Sequence, residues 1–277
     1  MDMLEELHRK ELELLKDVVA LLEKHGLRYT LYCGTLLGAV RHHGFIPWDD
    51  DIDLAMPLAD YKALLRLSDE LEPRYSIVHM DNSPYMYLNW IKVHDNQTAF
   101  MRKICTQYPG NYGVSLDIYP FIGAFSSRIG QKLQNLLLQT AYSMRLADQY
   151  KLAPESKWNW KYRLLRALSV IPFPVRSAVA RLCRKVAIRD PEKHKTMGTV
   201  DWAPFRGKYV PEDWKDMTKL RFEDAQFSAP AKYDKILRIM YGDYMMLPPE
   251  YMRNVHRRDD TIIDMEHSYR EYLDESK

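Results

Sequence analysis

Residues 48–56, Trp-Asp-Asp-Asp-Ile-Asp-Leu-Ala-Met, set four carboxylates into five positions between apolar neighbours. Like charges held that close repel one another unless something positive sits among them. On a β-strand, Asp51 and Asp53 point to one face with Asp49 on the same parity, while Ile52 and Leu54 turn to the opposite, buried face. Asp50 falls on the other parity, where it can cap or orient. Two carboxylates side by side on a strand suit a hard divalent cation, Mg2+ or Mn2+, which takes one or two carboxylates and fills its shell from substrate phosphates. An Asp-rich solvated turn is the competing reading, and the apolar flanks argue against it. Fifteen residues upstream of Asp49, Gly34-Thr35 ends one strand and opens a helix. Such a junction offers free backbone N–H groups to an anion. Downstream, Val114-Ser-Leu-Asp117-Ile-Tyr-Pro120 isolates another aspartate among strand residues. A third metal ligand or a base explains it; so does an Asp that caps a turn ahead of Pro120.

These groups need elements to hold them. Leu4, Leu7, Leu12, Leu15, Val18, Val19 and Leu22 recur at helical spacing, so the first 25 residues read as one amphipathic helix stopped by Gly26. Residues 28–33 read as a strand, and 35–42 as a short helix with Thr35 as its N-cap. A second strand lies within 48–56, and Pro57 opens a helix running to about Leu71. Residues 75–80, 86–94 and 113–119 are further strand candidates. Helices alternating with strands predict an α/β (α+β) fold, a mixed sheet flanked by helices. The expected division is a catalytic core over 1–127, a basic helical insertion over 128–195, and a C-terminal part over 196–277, with a helix near 230–241, that completes the catalytic domain.

Charge is the other signal. The chain has 277 residues, 46% of them hydrophobic, and 40 basic against 38 acidic side chains give a net charge of +2. Nothing in that balance draws nucleic acid, and the composition excludes disordered and fibrous classes. Locally the balance breaks: residues 128–189 hold thirteen Lys or Arg against Asp148 and Glu155, which is +11 and leaves −9 for the remainder. Cys33, Cys105 and Cys183 are three and far apart, which fits reduced thiols in the cytosol rather than a disulfide framework or a metal knuckle. The charged N-terminus is unlike a secretory signal, and no uncharged run reaches the ~20 residues of a membrane span. The expected location is cytoplasmic, with peripheral contact at the inner membrane face.

The run GTLLGAVRHHGFIPWDDDIDLAM (34–56) resembles the signature of the LicD family, to which fukutin and fukutin-related protein are also related. SLDIYP (115–120) and a C-terminal block from Phe222-Glu-Asp to YGDYMMLPP (241–249) extend the resemblance over most of the chain, the basic segment excepted. It implies a nucleotidyltransferase-type fold that brings the Gly-Thr turn, the Asp-x-Asp strand and a third Asp together. It also implies transfer of phosphocholine, or a related alcohol phosphate, from a CDP-linked donor such as CDP-choline to a sugar hydroxyl of a cell-surface glycan. Lipid-linked teichoic acid precursors, lipopolysaccharide and protein glycans are the acceptors the resemblance suggests. Ribitol- or glycerol-phosphate transfer, or nucleotidyl transfer from an NTP, would use the same carboxylates.

On that reading Asp51, Asp53 and Asp117, with Asp49, hold metal, and Asp117 alternatively serves as base. Gly34 and Thr35 cradle donor phosphates. Arg41 either clamps a phosphate or pairs with the aspartates. Lys92 interrupts an apolar run and either reaches phosphate or snorkels from an edge strand. His42 and His43 are either proton carriers or polar surface. A choline ammonium wants an aromatic cage; Trp48 adjoins the metal strand, and Trp90, Tyr85, Tyr87 and Trp202 are further candidates. Tyr241–Tyr244, with Arg253 and His256, read as a lid, a sugar-facing segment or packing. The basic segment, where Trp158, Trp160 and Tyr162 mix with Lys157, Lys161, Arg163 and Arg166, suits an anionic lipid surface, the acidic body of the protein, or the phosphates of the acceptor.

Overall fold

A computed structural model describes residues 3–150, 160–200, 208–253 and 260–273. Trp158, Lys157, Glu155, Trp202 and His256 lie outside the described residues. The centre is a six-stranded mixed sheet. Its strands are β1 (Thr30–Leu31), β2 (Ile52–Pro57), β3 (Tyr75–Val78), β4 (Ile91–Asp95), β6 (Ser115–Gly123) and β7 (Met197–Thr199), in the order β1-β2-β6-β4-β3 with β7 on the far end of β6. Among the described residues of this sheet, only β2 and β6 run parallel. Two ribbons stand apart: β5 (Ala99–Arg102) with β10 (Thr261–Asp264), and β8 (Met217–Phe222) with β9 (Ala225–Pro230). The α/β class and the flanked mixed sheet agree with the sequence reading.

Helix α1 (Met3–Lys24) buries Leu7, Leu14, Leu15, Val18 and Leu22 on one face, and Gly26, at φ +63°, ends it as the sequence indicates. Helix α2 (Cys33–Arg41) starts earlier than predicted. Tyr32 is its N-cap and Thr35 lies inside it, because the Thr35 hydroxyl is turned to the sheet, where it accepts the Asp53 N–H at 2.8 Å. The helix predicted from Pro57 to Leu71 is two pieces, α3 (Leu58–Leu64) and α4 (Ser68–Leu71), parted by i→i−3 bonds from Arg66 and Leu67.

The strand predicted over 86–94 starts only at Ile91. Residues 83–90 are tied instead to α5 (Arg128–Leu146): Arg145 donates to the carbonyls of Ser83 and Met86, and Asn89 donates to that of Leu138. Helices α6 (Trp160–Leu168) and α7 (Phe173–Ala187) complete the basic layer, with Pro174 in the first turn of α7. Part of its charge is internal. Arg145 and Arg176 are buried on carbonyl groups, Arg176 also pairs with Asp148, and Arg184 pairs with Asp81. Phe222, Phe227 and, from α8 (Tyr233–Tyr241), Ile236 and Leu237 pack into the same core as the sheet.

Candidate active site

Parallel pairing of β2 with β6 sets Asp53 opposite Asp117, and antiparallel pairing of β6 with β4 sets Asp117 opposite Lys92. Paired residues share a face, so the three charges form a row across the middle of the sheet. Asp117 is held from both sides: Lys92 ion-pairs with Oδ1, while the Trp90 indole N–H donates to Oδ2 at 3.0 Å. Burial opposes the Lys92 charge, but Asp117, Asp51 and Asp53 outweigh it and raise its pKa. Lys92 thus turns inward to the carboxylates rather than out to solvent.

Asp53 is 6% exposed, and its Oδ1 has no hydrogen-bond partner among the described residues. Burial first, then the charges of Asp51, Asp117 and Asp49, push its pKa well above the usual carboxylate range. Burial and the neighbouring Asp51 and Asp50 push Asp49 up to about 8. A cluster in which carboxyl groups resist ionisation lacks positive charge. Among the described residues, no three His, Cys, Asp or Glu side chains close into a ready-made metal cage. The donor set instead fits a hard cation bound by one or two carboxylates and completed by substrate phosphates.

Two cavities meet at this cluster. The first, about 630 Å³, is lined by Cys33, Gly34, Arg41, Trp48, Asp49, Asp51 and Asp53 and roofed by residues of the 241–252 segment. The shared parity of Asp49, Asp51 and Asp53 therefore brings all three to one space. The second, about 330 Å³, is lined by Asp50, Asp51 and Lys92 together with Tyr85, Tyr87 and Tyr112. Asp51 faces both.

The junction before α2 explains two residue types. A methyl group on Gly34 would overlap the Asp49 carboxylate, which lies against the first turn of the helix where negative charge is favoured. Cys33, which lines the first cavity, takes φ +43°, a strained value for a residue with a Cβ. Thr35 is buried and bonded to Asp53, so of the predicted phosphate cradle only Gly34 lines the cavity, with Cys33 beside it. Arg41 donates to the Tyr244 carbonyl at 2.7 Å and to His42 at 2.9 Å, tethering the C-terminal segment rather than pairing with an aspartate. Burial and the charge of Arg41 lower the His42 pKa. Trp48 carries the Arg253 guanidinium 5.2 Å over its ring, so one ring face is taken by a cation. Of the other cage candidates, Trp90 is buried beside Asp117, and Tyr85 and Tyr87 line the second cavity.

Sequence reasoning missed α1 as part of the site. Its His8 ring stacks on Phe45 at 4.0 Å and bonds the Asp49 carbonyl at 2.7 Å. Glu11, 1% exposed with both carboxylate oxygens unpartnered among the described residues, has its pKa raised by burial and by Asp51, Asp50 and Asp49. The signal was present: Glu11 is in phase with Leu7, Leu14 and Val18, an acid on the apolar stripe of a helix.

The chain is similar to known proteins. The chain is 28% identical over 253 residues, 88% of its length and 92% of the relative's, to the lipopolysaccharide cholinephosphotransferase LicD of Haemophilus influenzae. An uncharacterized protein of Rickettsia typhi is 34% identical over 116 residues, which is 39% of this chain and 36% of that protein. The human ribitol 5-phosphate transferase FKRP is 56% identical over 43 residues, 16% of this chain and 9% of that protein. The LicD/FKTN/FKRP nucleotidyltransferase domain model matches residues 26–149, which hold Gly34, Asp49, Asp51, Asp53, Lys92 and Asp117. Residues 26–149 are thus similar to the nucleotidyltransferase domain of the LicD/FKTN/FKRP family, and the chain along most of its length to the cholinephosphotransferase LicD.

Proposed function

We propose that the protein transfers phosphocholine from CDP-choline to a sugar hydroxyl of a cell-surface glycan precursor of the lipopolysaccharide or teichoic acid type, with Mg2+ or Mn2+ as cofactor. The observation that carries this reading is the likeness to a cholinephosphotransferase along almost the whole chain. The cation-poor carboxylate cluster between two cavities supports it. A divalent ion on Asp51 and Asp53 would neutralise charge developing on the pyrophosphate oxygens.

The chain's own groups do the rest. Cys33 and Gly34 present the first turn of α2 to the donor phosphates in the larger cavity. Arg41 brings a guanidinium to the same wall while holding the C-terminal segment over it. Lys92 fixes the Asp117 carboxylate and keeps one positive charge beside the reacting phosphorus. Asp117, opposite Asp53 on the neighbouring strand but lining neither cavity, would support the metal-holding pair from behind or take the acceptor proton. Because the acceptor is taken to be lipid-linked, the basic layer 128–189 would dock peripherally on an anionic membrane at its inner, cytoplasmic face.

Incubation with a panel of CDP-alcohols and Mg2+ tests the reading. CMP released from CDP-choline supports it. The stretch shared with FKRP favours ribitol phosphate as the second reading, and CMP from CDP-ribitol alone would select it. Pyrophosphate released from an NTP, with no CMP from any CDP-alcohol, would replace both with nucleotidyl transfer.

A further inference from the structure

We infer that the second cavity is the acceptor subsite, and that its tyrosines bind the sugar ring whose hydroxyl is modified. This inference rests on the proposed transfer from a CDP-alcohol and adds where the glycan sits.

Displacement at phosphorus places the attacking and leaving oxygens roughly in line. The acceptor must therefore approach from the side opposite the departing CMP. The two cavities offer such a pair of approaches. Asp51 borders both, Asp49 and Asp53 border the larger one only, and Asp50 borders the smaller one only. With the donor phosphates against the first turn of α2, CMP leaves through the larger cavity and the hydroxyl enters through the smaller. The acceptor oxygen bonds to phosphorus, the phosphorus–oxygen bond to CMP breaks, CMP keeps that electron pair, and the hydroxyl proton passes to a carboxylate at the junction.

The lining fits a sugar. A pyranose has an apolar C–H face and a rim of hydroxyls, and a tyrosine has an apolar ring face and a polar end. Three tyrosines line this cavity, and each ring is braced by a second ring: Tyr87 by Tyr142 at 5.4 Å, Tyr85 by Tyr108 at 6.1 Å and Tyr112 by Tyr269 at 6.3 Å. Rings held in place before binding lose little freedom on contact. At about 330 Å³ the cavity is within the size range of small-molecule sites. It also abuts the basic layer, since Arg145 of α5 grips the carbonyls of Ser83 and Met86, and Ser83, Met86 and Gln149 are lining residues.

The protein carries its own reporters, for Cys33 lines the donor cavity, Cys105 lines the second one, and Cys183 is buried elsewhere. Maleimide labelling followed by peptide mass spectrometry reads each thiol. CDP-choline with Mg2+ is expected to slow labelling of Cys33 at least ten-fold and to leave Cys105 within two-fold. The deacylated surface glycan of the producing organism is expected to protect Cys105 and not Cys33. Tyr85→Ala should raise the KM for that glycan at least ten-fold, with the calorimetric Kd for CDP-choline unchanged. Protection of Cys105 by CDP-choline alone would put the alcohol cargo in this cavity and overturn the inference. So would a glycan that protects Cys33 or neither thiol. If CDP-choline protects no thiol and yields no CMP, it is the donor reading that falls.

Discussion

Asp53 enters the core with one carboxylate oxygen that has no hydrogen-bond partner among the described residues, and three other aspartates raise its pKa. Removing such a group relieves repulsion while removing a metal ligand. Asp51→Ala and Asp53→Ala are therefore expected to lower turnover by orders of magnitude, since metal stabilisation of the transition state is worth several kcal/mol. Thermal melting of the metal-free variants should stay level or rise. Near-normal kinetics in either variant would remove the metal assignment. For the same reason CDP-choline should bind far more weakly in EDTA than with Mg2+, as calorimetry would read; equal affinity would shift the cradle to Arg41 and backbone amides. His94 makes one contribution to the pH dependence. It is buried, its ring bonds the Gly113 carbonyl at 2.9 Å, and burial, then Lys92, pushes its pKa down to about 3. Below the unfolded value of about 6.5 the unfolded chain binds a proton that the folded one refuses. From this group alone, stability should then fall by up to about 1.4 kcal/mol per pH unit as pH drops from about 6.5 towards 3, while the raised carboxyls of Asp49, Asp53 and Glu11 act in the opposite direction. Denaturant midpoints measured against pH would check it, and His94→Gln should flatten the slope.

The elements set these side chains through contacts that short-range patterns do not encode. Thr35 was legible as a residue beside a helix start, but its partner, the Asp53 amide, is brought to it by the return of the chain along β2. Thr35→Val keeps the shape and leaves a buried N–H unbonded, which costs about 1–3 kcal/mol. A matching loss of stability together with reduced turnover is the expected outcome; unchanged turnover would separate that bond from the site. Strand parity was enough to bring Asp49, Asp51 and Asp53 to one cavity, because side-chain alternation is local. The pairing of Asp53 with Asp117 and of Asp117 with Lys92 depends on register between strands far apart in sequence, so the ion pair behind Lys92 was not legible. Helix α1 shows the same limit. Its amphipathic stripe marked a core helix, yet Glu11 gains meaning only from the Asp loop above it. Glu11→Leu should raise melting temperature in the absence of metal, since a buried carboxyl without a partner is replaced by an apolar side chain. A lower melting temperature would mean that Glu11 supports the loop.

At the scale of the molecule, the charge asymmetry reads differently once folded. Arg145, Arg176 and Arg184 are used internally, whereas Arg128, Lys132, Lys161, Arg163, Arg166, Arg181, Lys185 and Arg189 are exposed. Between those cations the layer leaves apolar side chains in solvent: Ile129 is 82% exposed, Trp160 69%, Leu182 63% and Leu136 61%. A face packed against the acidic body would bury them, so exposure decides against that reading for these positions. Among the described residues no helix is long and apolar enough to cross a membrane. Basic and aromatic residues mixed on short amphipathic helices suit a lipid interface, where each basic residue adds about 1 kcal/mol. Since α5 also clamps the loop that lines the second cavity, docking through this layer would bring a lipid-linked glycan to the carboxylates. Sedimentation with anionic vesicles should carry the protein down at low salt and release it at high salt. Neutral vesicles should leave it in the supernatant. Changing Lys161, Arg163 and Arg166 to Glu should abolish pelleting without altering CMP release in the absence of lipid. A wild-type protein that stays in the supernatant with anionic vesicles at low salt would assign the layer instead to phosphates of the acceptor, and transfer to a soluble, phosphate-bearing glycan would then weaken in the same triple variant.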